Sequence, residues 1–408
     1  MKEPWRTKNW FTSHYNFNSQ ARKGMKFPKK IQFYDLTLRD GEQQAGLVFR
    51  KEEKVEIARL LDEAGVDKIE AGMPTVTEED AEAVKTIAGL GLSAKIFCLA
   101  RCMKRDVDMA LKCDVDGVQM EIPTSEALLK NAYGWPVQKA LDLTVENTAY
   151  AHEHGLHVSF FTMDSTRSSF ETCWKIINTV ATKGHMDGLT VVDTFGVTSP
   201  VGIHYFVKKL KERVRKPIEV HCHNSFGLAV ANSLAAVEAG AQTVHTTVNA
   251  ISEATGAAAL EEVATAAKCL YGIDSNIKFE KLVSLSKLVQ ERSGVKMPPH
   301  KPIVGDGIFT AESGIVLGWW SRIKNLNLSP LEIFPFLPEF VGAEGHKMVV
   351  GKKSGRDSIT YKLKELGLSA PEGKIDEILK RVKKTGIELK RTLTDEEFKQ
   401  IVQDVTKT

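Results

Sequence analysis

The chain has 408 residues, of which 42% are hydrophobic and 26% are charged, and its formal net charge is +3. This length suits one large barrel with a smaller domain, and so small a net charge does not indicate a nucleic-acid partner. No apolar run approaches the roughly 20 residues of a membrane span, and the N-terminus lacks the apolar core of a signal peptide. The six cysteines are scattered, which is typical of free thiols in a reducing compartment, so we expect a cytoplasmic protein without a membrane partner.

From residue 31 onward, short β-branched runs alternate with helical stretches. The strand candidates are Ile31–Leu36, Lys68–Ala71, Lys95–Ala100, Gly117–Ile122, His157–Met163, Leu189–Asp193, Ile218–His223 and Thr243–Asn249. The amphipathic helix candidates include Lys51–Ala64, Glu78–Ala88, Val137–His154, Phe170–Thr182, Gly202–Arg213, Leu228–Ala239 and Leu260–Tyr271. Eight such units in about 240 residues predict an α/β fold, a (β/α)8 TIM barrel.

A doubly wound open sheet is the main alternative to the barrel. Such a sheet usually carries a phosphate-binding glycine loop after its first strand. Here the first strand leads into Arg39-Asp40-Gly41, which is not that loop.

The composition suggests four segments along the chain. We expect an N-terminal arm at 1–28, the TIM-barrel catalytic domain at 29–275, a subdomain at 276–345 that covers the barrel mouth or a dimer partner, and a C-terminal helical subdomain at 346–408. Within the third segment, the adjacent Trp319 and Trp320 favour packing over ligand stacking.

Polar residues follow every strand candidate, at the end of a barrel where chemistry takes place. They are Arg39 and Asp40 after the first strand, Glu70 at the second, Arg101 after the third, Glu121 at the fourth, Asp164 after the fifth, Thr194 after the sixth, His221 and His223 on the seventh, and Thr247 on the eighth. We therefore expect these side chains to meet at one barrel mouth.

Two histidines on the seventh strand candidate indicate a metal site. Residues i and i+2 of a strand point to the same face, so His221 and His223 can bind one divalent metal together. Asp40 is the obvious third ligand, because an oxygen donor completes such a set.

The motifs resemble those of the metal-dependent barrel enzymes that include isopropylmalate, homocitrate and citramalate synthases and the hydroxymethylglutaryl-CoA lyases. The matching segments are Asp35–Gln43, Ile69–Pro74, Asp193–Pro200, His221–Asn224, Gly227–Asn232, Val248–Glu262, His300–Gly305, Glu312–Ile315 and Gly351–Arg356. The resemblance is closest to the synthase branch, because the region after the barrel also matches.

This resemblance implies a reaction and a set of roles. A divalent metal (Mn, Mg, Zn, Fe or Co) held by Asp40, His221 and His223 would bind a 2-oxo acid. An acyl-CoA, most simply acetyl-CoA, would then add to the ketone and be hydrolysed to a 2-hydroxy diacid. The implied catalytic residues are Arg39, Glu70 and Asp164, and the implied substrate-binding residues are Arg39, Gln43, Arg101, Thr194 and Thr247. Arg101 is equally well explained as half of a structural ion pair. A homodimer is also implied.

The chain departs from the family pattern at several positions. The family's usual Gly-x-Gly-Glu-Arg-x-Gly-Asn after strand 8 is here Ala250-Ile-Ser-Glu-Ala-Thr-Gly-Ala257. Its final Asn, the family's fourth metal ligand, is thus replaced by Ala257, and Asn249 nearby is more simply a loop residue. A His after Glu-Ser-Gly-Ile is replaced by Val316, and no Tyr occurs between Tyr271 and Tyr361. These losses keep two alternatives open: a lyase or aldolase that cleaves a hydroxy acid, and a catalytically altered paralogue that binds a 2-oxo acid as a regulatory protein. The sequence lacks the Cys that lyases carry after strand 8, which counts against a lyase.

Overall fold

The computed structural model describes residues 3–407, which form two compact units. One unit is Tyr15–Met297. The other combines the described parts of Met1–His14 and Pro298–Thr408. The four-segment division made from the sequence stays a prediction.

The larger unit is a closed barrel of eight parallel strands. The strands are β1 (Gln32–Asp35), β2 (Lys68–Glu70), β3 (Lys95–Arg101), β4 (Gly117–Pro123), β5 (His157–Met163), β6 (Gly188–Asp193), β7 (Ile218–Cys222) and β8 (Thr243–Thr246). They pair in chain order, and β1 closes the sheet by pairing with β8 from Gln32 opposite Thr243 to Asp35 opposite Thr246. The predicted TIM barrel is confirmed.

A helix follows each strand. These helices are α1 (Lys51–Glu63), α2 (Glu78–Ala88), α3 (Lys104–Lys112), α4 (Val137–Glu153), α5 (Phe170–Lys183), α6 (Pro200–Lys211), α7 (Ala229–Glu238) and α8 (Leu260–Ala266), and α9 (Leu282–Ser293) comes after the barrel closes. Sequence signals at their starts are visible: the Thr77 hydroxyl accepts the Asp80 N–H at the start of α2, and Ser199 does the same for Gly202 before α6.

Four strand ends were predicted too long: β1, β2 and β7 end one residue earlier than predicted, and β8 ends three residues earlier. β8 ends at Thr246 rather than Asn249, because Asn249 takes a left-handed conformation (φ 62°) that no strand continues. β7 ends at Cys222, and His223 lies one residue beyond it. Eight strand–helix units were predicted, but no bounds were given for helix α3.

The smaller unit is mainly helical, as predicted. It contains the short parallel strands β9 (Thr310–Ala311) and β10 (Lys347–Met348), and the helices α10 (Gly314–Asn325), α11 (Arg356–Glu365), α12 (Ile375–Leu389) and α13 (Asp395–Thr406). Trp320 is buried against Leu317 and Met348, whereas the side chain of Trp319 is 54% exposed. Packing therefore accounts for one tryptophan of the pair. Within residues 3–407, no helix has the length and apolar character needed to cross a membrane.

A buried charge cluster lies inside the barrel and joins four strands. The Glu219 carboxylate lies 2.6 Å from the Lys68 ammonium and 3.0 Å from Nε2 of His245, and it accepts a hydrogen bond of 2.8 Å from Ser159. Burial would raise the pKa of Glu219, but Lys68 and His245 hold it below its ordinary value. The cluster therefore ties β2, β5, β7 and β8 together from within.

We expect Glu219→Gln to destabilise the barrel by about 3–5 kcal/mol, because it leaves Lys68 without its buried counter-charge. Urea unfolding at pH 7 measures this loss. Since the pKa of Glu219 is depressed in the fold, the difference from wild type should shrink as pH falls below the unfolded value of about 4.3. Glu56→Gln is the control, because it breaks an exposed pair with Arg292 and should change little. Equal effects of the two variants would contradict the structural role of the cluster.

Candidate active site

Asp40, His221 and His223 come together at the barrel mouth. Each offers one ligand atom, these atoms lie within 4.8 Å of one another, and all three residues are buried. Oδ2 of Asp40 lies 3.8 Å from Nε2 of His221 and 3.7 Å from Nε2 of His223. The juxtaposition expected from the sequence is thus present in the fold.

Three loops position this group. Asp40 sits in a turn directly after β1, where its N–H donates to the carbonyl of Leu36 at 2.8 Å. The N–H of His223 donates to the carbonyl of Asp193 at the end of β6, and His223 also forms a backbone bridge with Ala257 in the loop after β8. The second histidine therefore depends on the loops on either side of it.

The group fits a divalent metal ion. Separations of 3.7 and 3.8 Å are too long for hydrogen bonds. They are slightly longer than the roughly 2.8–3.6 Å between neighbouring ligand atoms around an ion whose bonds are about 2.0–2.2 Å long, so a small inward movement of the side chains would let them bind one. Burial, followed by the nearby His223, lowers the pKa of His221 well below its usual value, so this imidazole is neutral, the form that binds metals.

Arg39 lies beside the metal group and is held by three neighbours. Its Nε donates to Glu70 at 2.6 Å, its Nη1 donates to Gln43 at 2.8 Å, and Nη1 lies 3.5 Å from Oδ1 of Asp40. Burial alone would lower the pKa of Arg39, but Glu70, Asp40 and Glu121 raise it, so the guanidinium is charged. Among the described residues, Nη2 of Arg39 has no hydrogen-bond partner. One charged donor is therefore free for a ligand.

Glu70 is fully buried at the end of β2. Burial raises its pKa to about 7, although Arg39 opposes the shift. Its Oε2 accepts from Arg39, and its Oε1 has no partner within residues 3–407. A carboxyl group with this pKa can exchange a proton near neutral pH.

The Asp164 carboxylate accepts more hydrogen bonds than its expected catalytic role suggests. Arg167 donates to its two oxygens at 2.7 and 2.8 Å, and the Ser125 hydroxyl donates to Oδ2 at 2.5 Å. Its backbone N–H also donates to the Thr194 hydroxyl at 2.8 Å. These bonds favour a role in fixing the loops after β4, β5 and β6. A catalytic role for Asp164 stays a prediction.

The remaining predicted substrate residues differ in their surroundings. Thr247 is buried, and no described residue hydrogen-bonds its hydroxyl. The Thr194 hydroxyl accepts from Asp164 and keeps its proton for donation. Arg101 makes a two-point ion pair with buried Asp106, at 2.8 and 3.0 Å, with its own side chain 48% exposed. Asp106 is thus the partner that a structural ion pair of Arg101 requires. A substrate role for Arg101 stays a prediction.

The loop after β8 shows what replaces the family pattern. Asn249 donates to the carbonyl of Ser286 and accepts from its hydroxyl, so it is a loop residue, as expected. Ala257 is buried beside His223 and offers no ligand atom. The Ser252 hydroxyl donates to Oδ2 of Asp40 at 2.6 Å. We did not predict Ser252 as a site residue, and the only signal in the sequence was its departure from the family glycine.

A second cluster of possible ligands lies at the opposite end of the barrel. It comprises His152, His185 and Asp187. The two imidazole rings are stacked 3.5 Å apart at 5°, so their in-plane lone pairs do not converge, and His185 already pairs with Asp187 at 2.9 Å. This geometry is a ring stack with an ion pair rather than a metal centre.

The fold and the site define a TIM barrel with a candidate divalent-metal centre at its mouth. Residues 30–289 match the HMGL-like family, and residues 303–390 match the homocitrate synthase post-HMGL domain-like family. The chain therefore belongs to the HMGL-like family, on its synthase branch, as the sequence motifs predicted.

Individual relatives agree with this placement. Homocitrate synthase AksA of Methanopyrus kandleri is 46% identical over 386 residues, covering 95% of both chains. The 2-isopropylmalate synthase of Methanocaldococcus jannaschii is 40% identical, over 95% of this chain and 74% of that protein. The HMG-CoA lyase of Bacillus subtilis superposes with a TM-score of 0.61 at 20% identity, over 67% of this chain and 97% of the lyase, which shows a shared fold.

We expect Gly196→Ala to disturb the metal group. Gly196 has φ 58°, and a Cβ there would lie 2.6 Å from the carbonyl oxygen of His223. The substitution should weaken Mn²⁺ binding at least about tenfold, because it moves a ligand. Gly227→Ala is the matched control, since Gly227 also has a positive φ (71°) but open space around it. Calorimetric titration of both variants tests this, and equal affinities would contradict it.

Proposed function

We propose that this protein condenses an acyl-CoA with a 2-oxo acid to give a 2-hydroxy diacid and free coenzyme A. The observation that carries the proposal is the group of Asp40, His221 and His223 beside the free donor of Arg39. The named activities of the relatives, homocitrate and 2-isopropylmalate synthase, support it. We further propose that the protein is cytoplasmic, because its cysteines are scattered free thiols. From the resemblance and the aromatic region after the barrel, we propose that it is a homodimer.

The 2-oxo acid would bind at the metal group. A divalent metal supplies Lewis-acid polarisation of the ketone. Two imidazoles and one carboxylate suit Mn, Zn, Fe or Co, and Mg is also accepted where water completes its shell. Nη2 of Arg39 would donate to the ketone oxygen, where negative charge grows during attack. The hydroxyls of Thr194 and Thr247 would bind the substrate carboxylate.

The acyl-CoA would approach from the cleft beside Arg39. This cleft has a volume of about 340 Å³, and its apolar wall consists of Leu47, Val48, Met73 and Val76. An acyl group with the adjoining pantetheine chain is largely apolar, so it suits this wall. Gln43 lines the same cleft and holds Arg39 in place.

Glu70 is the base that we assign to the acyl-CoA. Its free Oε1 would accept the α-proton, and the resulting carbanion would attack the ketone carbon to form the new carbon–carbon bond. The ketone oxygen becomes a hydroxyl group by taking up a proton. Water then cleaves the thioester, which releases the coenzyme A thiol and the second carboxylate. A pKa of about 7 suits Glu70 to this exchange.

The altered positions bear on two other functions, a lyase and a binding protein without turnover. Ala257 removes one metal ligand, and Val316 packs beside the apolar cluster around Trp320. A protein that had lost turnover would still bind a 2-oxo acid, whereas a lyase would release acyl-CoA or pyruvate from hydroxy acids. The same assay separates all three functions.

We expect thiol release from acetyl-CoA in the presence of Mn²⁺ and at least one member of a panel of 2-oxo acids. Pyruvate, 2-oxoisovalerate and 2-oxoglutarate form a suitable panel, and a thiol-reactive dye follows the product. If no member of this panel gives thiol release but the matching hydroxy acids are cleaved, the lyase is favoured. If the protein catalyses neither condensation nor cleavage but still binds a 2-oxo acid, the binding protein is favoured.

Arg39→Gln should lower kcat by about 10²–10³-fold, because it removes the charged donor facing the growing oxyanion. The pair of Glu70 with Arg39 is also lost, so the pH profile of kcat should shift. Steady-state kinetics measures both effects. Arg292→Gln, which alters a partly exposed arginine on α9 that pairs with Glu56, should match wild type. A fully active Arg39→Gln enzyme would rule out the assigned role.

A further inference from the structure

The Ser252 hydroxyl contacts the one carboxylate oxygen that faces both imidazoles. It donates to Oδ2 of Asp40 at 2.6 Å, and both residues are buried. The same Oδ2 lies 3.7 and 3.8 Å from Nε2 of His223 and His221. Ser252 therefore touches the metal group directly, although no sequence motif marks it as part of the site.

The position of Ser252 is fixed by packing between two loops. Ile251 lies against Gly41, whose added Cβ would meet the Ile251 side chain at 3.1 Å. Gly41 follows Asp40 directly, so this contact holds the loop after β8 over the turn after β1. The fold therefore sets both the backbone that carries the Ser252 hydroxyl and the Asp40 carboxylate that accepts its hydrogen bond.

A carboxylate without such a bond rotates about its side-chain torsion, which costs binding free energy when one oxygen must face an ion. The other oxygen of Asp40 has only a long contact, 3.5 Å, to Nη1 of Arg39. A short hydrogen bond from Ser252 to Oδ2 stops this rotation. It leaves the other lone pair of Oδ2 free for an ion between this oxygen and the two imidazoles, whose Nε2 atoms lie 3.7 and 3.8 Å away.

The loop after β8 differs from the family pattern at two functionally linked places. Where the family has glycine, this chain has Ser252, and where the family has its Asn ligand, this chain has Ala257. One oxygen-bearing group is lost next to His223, and another is gained next to Asp40. The two changes lie in one loop and act on one metal group.

We propose that Ser252 is a positioning residue of the metal centre, and that its hydrogen bond to Asp40 compensates for the ligand missing at Ala257. The inference rests on the metal site of the proposed function. Ser252 acts through Asp40: it orients the carboxylate and so raises the affinity of the site for a divalent ion.

The test is a calorimetric titration of the metal-stripped protein with Mn²⁺. Ser252→Ala should weaken binding by about 10–100-fold, while circular dichroism should show that the metal-stripped variant is still folded. Ser225→Ala is the matched control, because Ser225 lies in the neighbouring loop and makes an exposed contact with Thr255. Equal affinity of Ser252→Ala and wild type would overturn the inference. Wild-type protein that binds no Mn²⁺ would instead overturn the metal site itself.

A second comparison tests the compensation. Ser252→Gly should lose affinity as Ser252→Ala does, and adding Ala257→Asn should recover it, since that pair restores the family arrangement. A folded double variant that binds Mn²⁺ no better than Ser252→Gly would overturn the compensation.

Discussion

Closure of the barrel between β1 and β8 is the constraint on which the site depends. The pairing of Gln32–Asp35 with Thr243–Thr246 places β1 two strands away from β7. The turn after β1 and the end of β7 therefore meet at one rim, and Asp40 faces His221 and His223 across it. Residues from the two ends of the barrel sequence become neighbours only because the sheet closes.

The rim is then made rigid by contacts between successive loops. The carbonyl of Asp193 holds His223, Gly196 allows the close approach that this needs, and Ser252 holds Asp40. Beneath the rim, Glu219 and its partners fill the barrel interior with paired charge. The residues of the candidate site thus stand above a cluster of paired buried charges, while Nη2 of Arg39 has no hydrogen-bond partner among the described residues.

Much of this architecture was predictable from the sequence. Alternating strand and helix patterns predicted the barrel, and the Asp40, His221 and His223 set followed from strand periodicity and the rule that barrel chemistry lies at the strand ends. Local conformation was harder to predict. Asn249 follows β8 in a left-handed conformation and is held there by Ser286, a tertiary contact that sequence periodicity does not reveal. The bounds of helix α3 were not predicted, because its buried face is short and includes a charged residue, Asp106.

The roles of charged residues were the least predictable part of the site. An arginine after a barrel strand looks the same in sequence whether it binds substrate or an acidic neighbour, and Arg101 has Asp106 as its partner. Asp164 likewise has Arg167. Ser252 gave no motif, because its contact to Asp40 joins loops that are distant in sequence. Partners of this kind become visible only when the loops are placed in space.

Binding of a 2-oxo acid to the metal-stripped and the Mn²⁺-loaded protein tests the central claim most directly, with wild type and His221→Ala compared by calorimetry. The account predicts that wild type binds the 2-oxo acid only when Mn²⁺ is present, and that His221→Ala binds it under neither condition. Equal binding with and without Mn²⁺, or binding by His221→Ala that matches wild type, would contradict a metal-dependent substrate site at the barrel mouth.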